Sequence, residues 1–394
     1  MTDRHHEWQA LVQSWEAELG PETLTQARYR LRMRVLRFGL NLVTASVLAA
    51  LWLFTGWAVA LRDALQANAS WVRTWLYILL LSALSGVLTF PLTWWFEFRV
   101  EQRLGMMRQS FWGWLLDQLK QGALSLLIQS LWLSGLYVVF RRWPDRWLLG
   151  VSLGVLLFLA VFYLLQPLFL RLRYKAEPFN DPELRAQLED LFARAGVPFG
   201  GLAVLRVGEK TARATAALVP HGAGTRVVLF DTLLEALSPR AVVAVVAHEL
   251  GHKVHRDMLK LMALFAVALI AALSVGYKVL VALGDWDGLE GPTDVATLPL
   301  LWLILAWLGA GLQILFNAFS RRQEFAADAY ALTLTQDPEA LEEAFRVLAR
   351  LNKALPQPPL WVERLLDSHP SLARRVWALR QRAASVGSRG AGGG

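Results

Sequence analysis

Six runs of apolar residues, near residues 39–61, 75–95, 121–140, 147–170, 259–283 and 297–318, constrain this chain more than any other feature. A helix rises about 1.5 Å per residue, so each run is long enough to cross a hydrocarbon core of roughly 30 Å. In that medium a backbone must satisfy its own hydrogen bonds, which restricts single crossing segments to helices. The composition agrees, with 55% hydrophobic and only 18% charged residues and 18 Trp, a balance that soluble domains seldom show. The expected fold is therefore mostly α, a multi-pass α-helical membrane protein in a lipid bilayer. The runs at 121–140 and 259–283 are the least secure spans, because a short run can be re-entrant and a preceding helix can continue into the second.

Loop charge gives the orientation. Six Arg lie in the first 38 residues; Arg99, Arg103, Arg108 and Lys120 follow the second run, and Arg171, Arg173 and Lys175 follow the fourth. The connection at 284–296 carries Asp285, Asp287, Glu290 and Asp294 without Lys or Arg. The positive-inside tendency places the basic loops and both termini in the cytosol. One short connection disagrees, since Arg141, Arg142 and Arg146 then face outward. The net charge of +8 is mostly this topology signal. Nucleic-acid binding is a poor explanation of it, because the basic residues flank the spans and form no single stripe.

Residues 1–38 lack a secretory signal's apolar core and cleavage site and are read as retained. Trp8, Leu11, Trp15 and Leu19 recur at helical spacing, which fits either a membrane-surface helix or one packed on a cytosolic domain. Residues 39–170 form a four-span region. Residues 171–258 contain a small α+β unit, with a helix from Asp181 and Pro182 to near Gly196 and strands at 202–207, 214–219 and 226–230. A turn over Pro220, His221, Gly222, Ala223 and Gly224 makes a hairpin with an open edge, and such an edge can take an extended peptide as an added strand. Two spans at 259–318, a helical region at 319–385 and a Gly-rich disordered tail at 386–394 complete the division.

The chemistry-bearing stretch is His248-Glu249-Leu250-Gly251-His252. Ser238 can cap a helix whose first position, Pro239, suits helix entry, and no breaker follows before His248. On that helix the two imidazoles stack on one face and can hold one ion, with Glu249 beside them to take a proton from an attacking water. Chance produces this pattern in on the order of one in 200 such chains. A structural zinc clip normally closes with four protein ligands, often Cys, and this chain has no cysteine. A third ligand must then be His, Asp or Glu, which favours two His plus a carboxylate and one open position.

The best source of that ligand is the segment 320–328, where Glu324 and Asp328 stand one helical turn apart. Glu324 can bind the metal while Asp328 accepts a hydrogen bond from the far nitrogen of a ligand His. Such an acidic pair is ordinarily a solvated helix face, and only its combination with the 248–252 segment gives it weight. His255 stands about 10.5 Å along the helix from His248, too far to join the same ion, and is expected to contact solvent or headgroups. His221, His5 and His6 are given no role.

In these motifs the chain resembles the M48 zinc metallopeptidases, which include the integral-membrane CAAX prenyl proteases and the HtpX membrane proteases. His248–His252 resembles the family's zinc helix, and Glu324–Asp328 its ExxxD motif. The resemblance implies one zinc per chain, Glu324 as third ligand and Asp328 as the ligand's hydrogen-bond partner. Ser368-His369-Pro370 followed by Arg375 matches the family's HP-x4-R element, which implies that His369 stabilises the oxyanion and Arg375 holds nearby carboxylates. The stretch Thr225–Leu233 resembles the strand ahead of the zinc helix, and Phe96–Glu101 with Gly105 is similar to the loop after the second membrane helix. The likeness spans roughly residues 85–380 and implies a zincin-like metalloprotease domain in the α+β region. Two departures stand out. Ala214-Thr215-Ala216-Ala217 occupies the place of the family's Asn-Ala pair, so Ala214, Thr215 and Ala216 are the expected substrate contacts. The CAAX prenyl proteases have seven spans, one more than expected here.

The implied reaction is hydrolysis of a peptide or membrane-protein substrate by a zinc-activated water, with Glu249 as general base. Transport is a poor rival, because the apolar runs hold almost no ionisable groups apart from Lys278. A noncatalytic membrane scaffold or chaperone that keeps the zinc is the better one. The resemblance covers prenylated peptides, misfolded membrane proteins and signalling precursors alike. The expected site lies on the cytosolic side, of the plasma membrane in a bacterium or an ER-type membrane in a eukaryote.

Overall fold

The computed structural model describes residues 2–173, 176–179 and 181–391. In chain order the helices are α1 (Thr2–Phe54), α2 (Trp57–Leu65), α3 (Trp71–Trp94), α4 (Val100–Arg103), α5 (Phe111–Arg142), α6 (Trp147–Arg173), α7 (Pro182–Arg194), α8 (Asp231–Ala236), α9 (Pro239–Val254), α10 (Asp257–Leu283), α11 (Leu298–Thr335), α12 (Pro338–Leu351), α13 (Leu360–Leu366) and α14 (Leu372–Ala391). The strands are β1 (Ala176–Pro178), β2 (Phe199–Leu205), β3 (Ala216–His221) and β4 (Gly224–Phe230), with a two-residue pair at Asp285–Trp286 and Leu289–Glu290.

Six helices among the described residues, α1, α3, α5, α6, α10 and α11, are long and apolar enough to cross a membrane. That is the expected number, and the two least secure runs fall on full-length helices of 32 and 27 residues. Leu and Val side chains such as Val47, Val87, Leu153, Leu157 and Val267 are exposed on them, as a lipid-facing surface requires. Tyr77, Ile78, Leu81, Tyr137 and Phe140 interlock inside the bundle.

Several expected boundaries are corrected. The run at 39–61 is not one span: α1 ends at Phe54, Gly56 takes a left-handed φ of 72°, and Trp57 starts the short α2. The Phe96–Glu101 segment is helical, because α3 runs through a π turn at Trp95–Arg99 into α4. Helix α9 does not continue into the fifth span, since Arg256 adopts φ 56° and α10 starts afresh at Asp257. Helix α14 carries helical backbone to Ala391, into the stretch expected as a disordered tail. The rest of that tail and Lys175 lie outside the described residues.

The N-terminal 38 residues are no separate surface segment. They are the first part of α1, with a break at Gly20 before Pro21. Leu11, Trp15 and Leu19 are buried in the same core as Leu191, Val246 and Val376, and Trp8 meets Trp377 edge to face at 5.9 Å. The amphipathic stripe therefore packs on protein, and Arg346 and Arg350 tie it down through Glu18.

The disagreeing basic connection also finds a place. Arg141 donates to Thr293 O, Thr74 Oγ1 and Asn68 Oδ1, while Arg62 pairs with the fully buried Asp294. These two guanidiniums fasten the connections at 55–70 and 284–297 to the end of α5. Arg141 thus serves as an internal clamp, which removes one of the three charges that opposed the orientation.

The strands form one sheet of order β1-β2-β4-β3, in which β2 and β4 are parallel and the other pairs antiparallel. The hairpin turn is tighter than expected, because His221 already pairs with Gly224 and only Gly222 and Ala223 lie between. β3 is an edge strand. Helix α9 packs beside it, started as the sequence predicts by Ser238, whose side chain accepts from Ala241 N.

Helix α11 runs for 38 residues, about 57 Å at 1.5 Å per residue, and so carries one polypeptide from the span into the soluble core. It crosses α9 with little room to spare: a Cβ on Gly251 would come within 2.9 Å of Ala327 Cα. Substituting Gly251→Ala should therefore cost about 1–3 kcal/mol by overpacking. The change should lower the thermal unfolding midpoint in detergent, while Gly86→Ala, where nothing lies within 4 Å, leaves it unlowered.

Candidate metal centre and cleft

His248 and His252 leave the same face of α9, and Glu324 reaches them from α11. His248 Nε2 lies 3.1 Å from His252 Nε2, and the Glu324 oxygens lie 3.5 Å from the first and 3.4 Å from the second. One donor atom from each residue falls within 4.8 Å of the others. The structure thus brings together the three expected ligands from segments more than seventy residues apart.

The surrounding carboxylates explain which way each ring points. His248 Nδ1 is 2.9 Å from Asp328 Oδ1, and His252 Nδ1 is 3.0 Å from Asp257 Oδ2. A carboxylate at Nδ1 holds the proton there and leaves Nε2 with a free lone pair. Two such lone pairs then face each other beside a buried carboxylate, and Glu324 Oε2 accepts no hydrogen bond although Arg375 Nη1 lies 3.1 Å away. That donor set fits a divalent cation. The same carboxylates favour positive charge at this point, carried by protons on the imidazoles or by a cation between them. Burial and the Arg375 charge oppose a positive His248, yet Asp328 and Glu324 raise its pKa to about 9. Burial likewise works against a charged His252, but the Glu324 and Asp257 carboxylates pull it up.

Arg375 closes the far side. It donates to Asp328 from Nε at 2.8 Å and Nη2 at 2.6 Å, and stacks over Phe345 at 4.2 Å. This bidentate pair holds Asp328 against His248. His369 Nε2 stands 3.1 Å from Glu324 Oε1, with its side chain 62% exposed. Glu249 faces the adjoining cleft, and burial pushes its carboxyl pKa up.

The cleft has a volume of about 450 Å³ and is lined by His248, Glu249, Glu324 and His369 together with Ala214, Thr215 and Ala216. Only Ala216 of these last three belongs to the edge strand β3. Ala214 is 5% exposed and packs into the core, and Thr215 O accepts from Phe230 N. His255, expected at solvent or headgroups, is half-buried. Its ring meets Tyr330 edge to face at 5.6 Å, with Nδ1 buried.

Sequence reasoning missed Asp257. Its signal was present, as the first acid after the 248–252 segment, but the left-handed turn at Arg256 that brings it back to His252 was not predictable from spacing. Lys260 steadies it at 3.2 Å and Gln323 donates to its carbonyl.

An imidazole pair held by carboxylates, a third carboxylate and an acid in the cleft define a metallohydrolase-type site. Residues 178–383 match the family described as Peptidase family M48, and residues 13–171 match CAAX prenyl protease N-terminal, five membrane helices. The chain belongs to peptidase family M48, and it is a multi-pass integral-membrane metalloprotease. Within residues 13–171 the described part holds four long apolar helices and the short α2. Among its relatives is the "Uncharacterized metalloprotease YhfN" of Bacillus subtilis, 29% identical over 76% of this chain and 71% of that protein. CAAX prenyl protease 1 of Saccharomyces cerevisiae is 27% identical over 76% of this chain and 70% of its own length. A protease HtpX homolog of Trichormus variabilis is 30% identical over 63% of this chain and 92% of its own. The crystal structure of S. mikatae Ste24p shares the fold, with a TM-score of 0.75 over 94% of this chain and 93% of that one at 22% identity.

Since Asp257 orients His252, Asp257→Ala should weaken metal affinity by roughly 10–100-fold. Competition with a chromogenic chelator in detergent measures this directly, and an unchanged affinity would remove Asp257 from the site.

Proposed function

We propose that this protein is a zinc metalloendopeptidase of the membrane, with the metal held by His248, His252 and Glu324 and with Glu249 as general base. The observation that carries the reading is the convergence of the three donor atoms at the wall of a cleft that also holds Glu249 and an edge strand. Zinc, when bound there, supplies Lewis acidity that lowers the pKa of water and polarises a carbonyl. Asp328 and Asp257 keep the imidazoles in the ligating tautomer, and Arg375 holds Asp328 in place. A substrate peptide lies extended along β3, whose free edge offers main-chain hydrogen bonds that accept varied side chains. Glu249 takes the proton of the attacking water and returns it to the leaving amine. His369, exposed to the cleft, donates to the developing oxyanion.

The cytosolic face is the proposed location, since the basic connections flank the side of the bundle to which α9 and the end of α11 return. We read residues 171–258 and 319–385, with the first part of α1, as the catalytic unit on that side. The relatives named as CAAX prenyl proteases make a prenylated C-terminal peptide one candidate substrate class.

Glu249→Gln should lower kcat/KM on a reporter peptide by roughly 10²–10⁴-fold while zinc content stays at one per chain. Metal analysis and a peptidase assay on the same detergent preparation check this. Parent-like turnover in the Glu249→Gln protein would remove Glu249 as the base, and stoichiometric zinc with no turnover in the parent would favour a noncatalytic scaffold.

A further inference from the structure

The cleft carries more positive charge than its own carboxylates consume. Arg30, Arg34, Lys353 and Arg375 all line it. Arg375 is taken by Asp328, and Arg34 is taken by Asp367 at 2.6 Å and by Leu366 O at 3.2 Å. Arg30 is different. It is half-buried on α1 and makes no hydrogen bond or ion pair among the described residues. The carboxylate whose charge reaches it, Glu101, is bound to Arg213 at 2.9 Å. Lys353 likewise has no side-chain partner among the described residues. A guanidinium left half out of water without a partner is costly, and a ligand carboxylate is the group that would match its fork of donors.

Position gives this cation a direction. Arg30 lines the same cleft as Ala214, Thr215 and Ala216, the residues that lead into the first position of β3. A peptide added antiparallel to β3 runs opposite to it, so its C-terminal portion arrives at the end where Arg30 stands. We infer that Arg30 is a specificity-determining residue that binds a carboxylate of the peptide substrate on the C-terminal side of the cleaved bond, with Lys353 as a second cation of the same cleft. This rests on the peptidase reading of the site. The carboxylate can be the free C-terminus or an acidic side chain, and both present the same bidentate acceptor. The residue belongs to the membrane-anchoring helix α1, so the inference makes that helix a wall of the substrate site as well as a span.

The test uses the full-length Glu249→Gln protein in detergent, so that binding is read without turnover. Two matched pairs of labelled peptides are compared by fluorescence anisotropy: a free C-terminal acid against its amide, and a downstream Glu against Gln. The acidic member of at least one pair should bind about tenfold more tightly, and the pair that responds identifies the source of the carboxylate. Adding Arg30→Gln should bring that ratio close to one, whereas Arg30→Lys keeps most of it. In the parent background, Arg30→Gln should lower kcat/KM on the acidic member of the responding pair about tenfold more than on its neutral counterpart. A ratio that survives Arg30→Gln, or no ratio in either pair, overturns the inference, as does an equal loss of hydrolysis on acidic and neutral peptides, which would make Arg30 a structural strut. An intact, Arg30-dependent binding ratio in a protein that hydrolyses nothing would instead count against the peptidase reading and leave the carboxylate site standing.

Discussion

The crossing of α9 over α11 at Gly251 and Ala327 is the contact on which the rest depends. There the helices that flank a two-span excursion approach closely enough for a carboxylate on one to reach two imidazoles on the other. The small residues at the crossing set the helix separation, and the separation sets the donor distances. The membrane passage between the two helices is therefore part of the site's construction: α10 and α11 leave and return so that Glu324 faces His248 and His252. Asp257, the first residue of α10, and Asp328, four residues past Glu324, then lock the two rings from opposite sides.

The charge arrangement has a simple logic. Acidic oxygens surround a point toward which two imidazole nitrogens are turned, which attracts a cation. One shell further out, Arg375 neutralises Asp328 and prevents the buried carboxylates from repelling one another. The cleft beyond is lined by cations instead, Arg30, Arg34 and Lys353, a charge that favours negatively charged ligands. At the far end of the bundle, Arg62, Asp294, Asn68 and Arg141 form a separate buried polar lock that has no part in chemistry and holds the outer connections together.

Much of this was readable from the chain because the determining signals were local. Ser238 and Pro239 announce α9, i,i+4 spacing announces the imidazole pair, strand character announces most of β2, β3 and β4, and run length announces the spans. The features that escaped are long-range, with one local exception at Asp257. Trp8, Leu11 and Trp15 form a stripe that a headgroup layer and a protein surface satisfy equally well, and only the tertiary core decides between them. Asp257 reaches His252 through a left-handed residue, Arg256, for which the sequence holds no Gly or Asn to warn of it. Arg141 looked like a topological anomaly because nothing nearby in sequence reveals its partners, which lie at 68, 74 and 293. His255 reads as a solvent or headgroup contact for the same reason, since Tyr330 arrives from α11.

The central claim is that His248, His252 and Glu324 hold one metal ion and leave a position free. X-ray absorption at the zinc edge, recorded on the parent and on Glu324→Gln loaded with one equivalent, tests it most directly. The account predicts a shell of light donors containing two imidazoles in the parent and a changed oxygen contribution in the variant. Identical spectra from the two proteins, or a shell filled by four protein ligands in the parent, would contradict it.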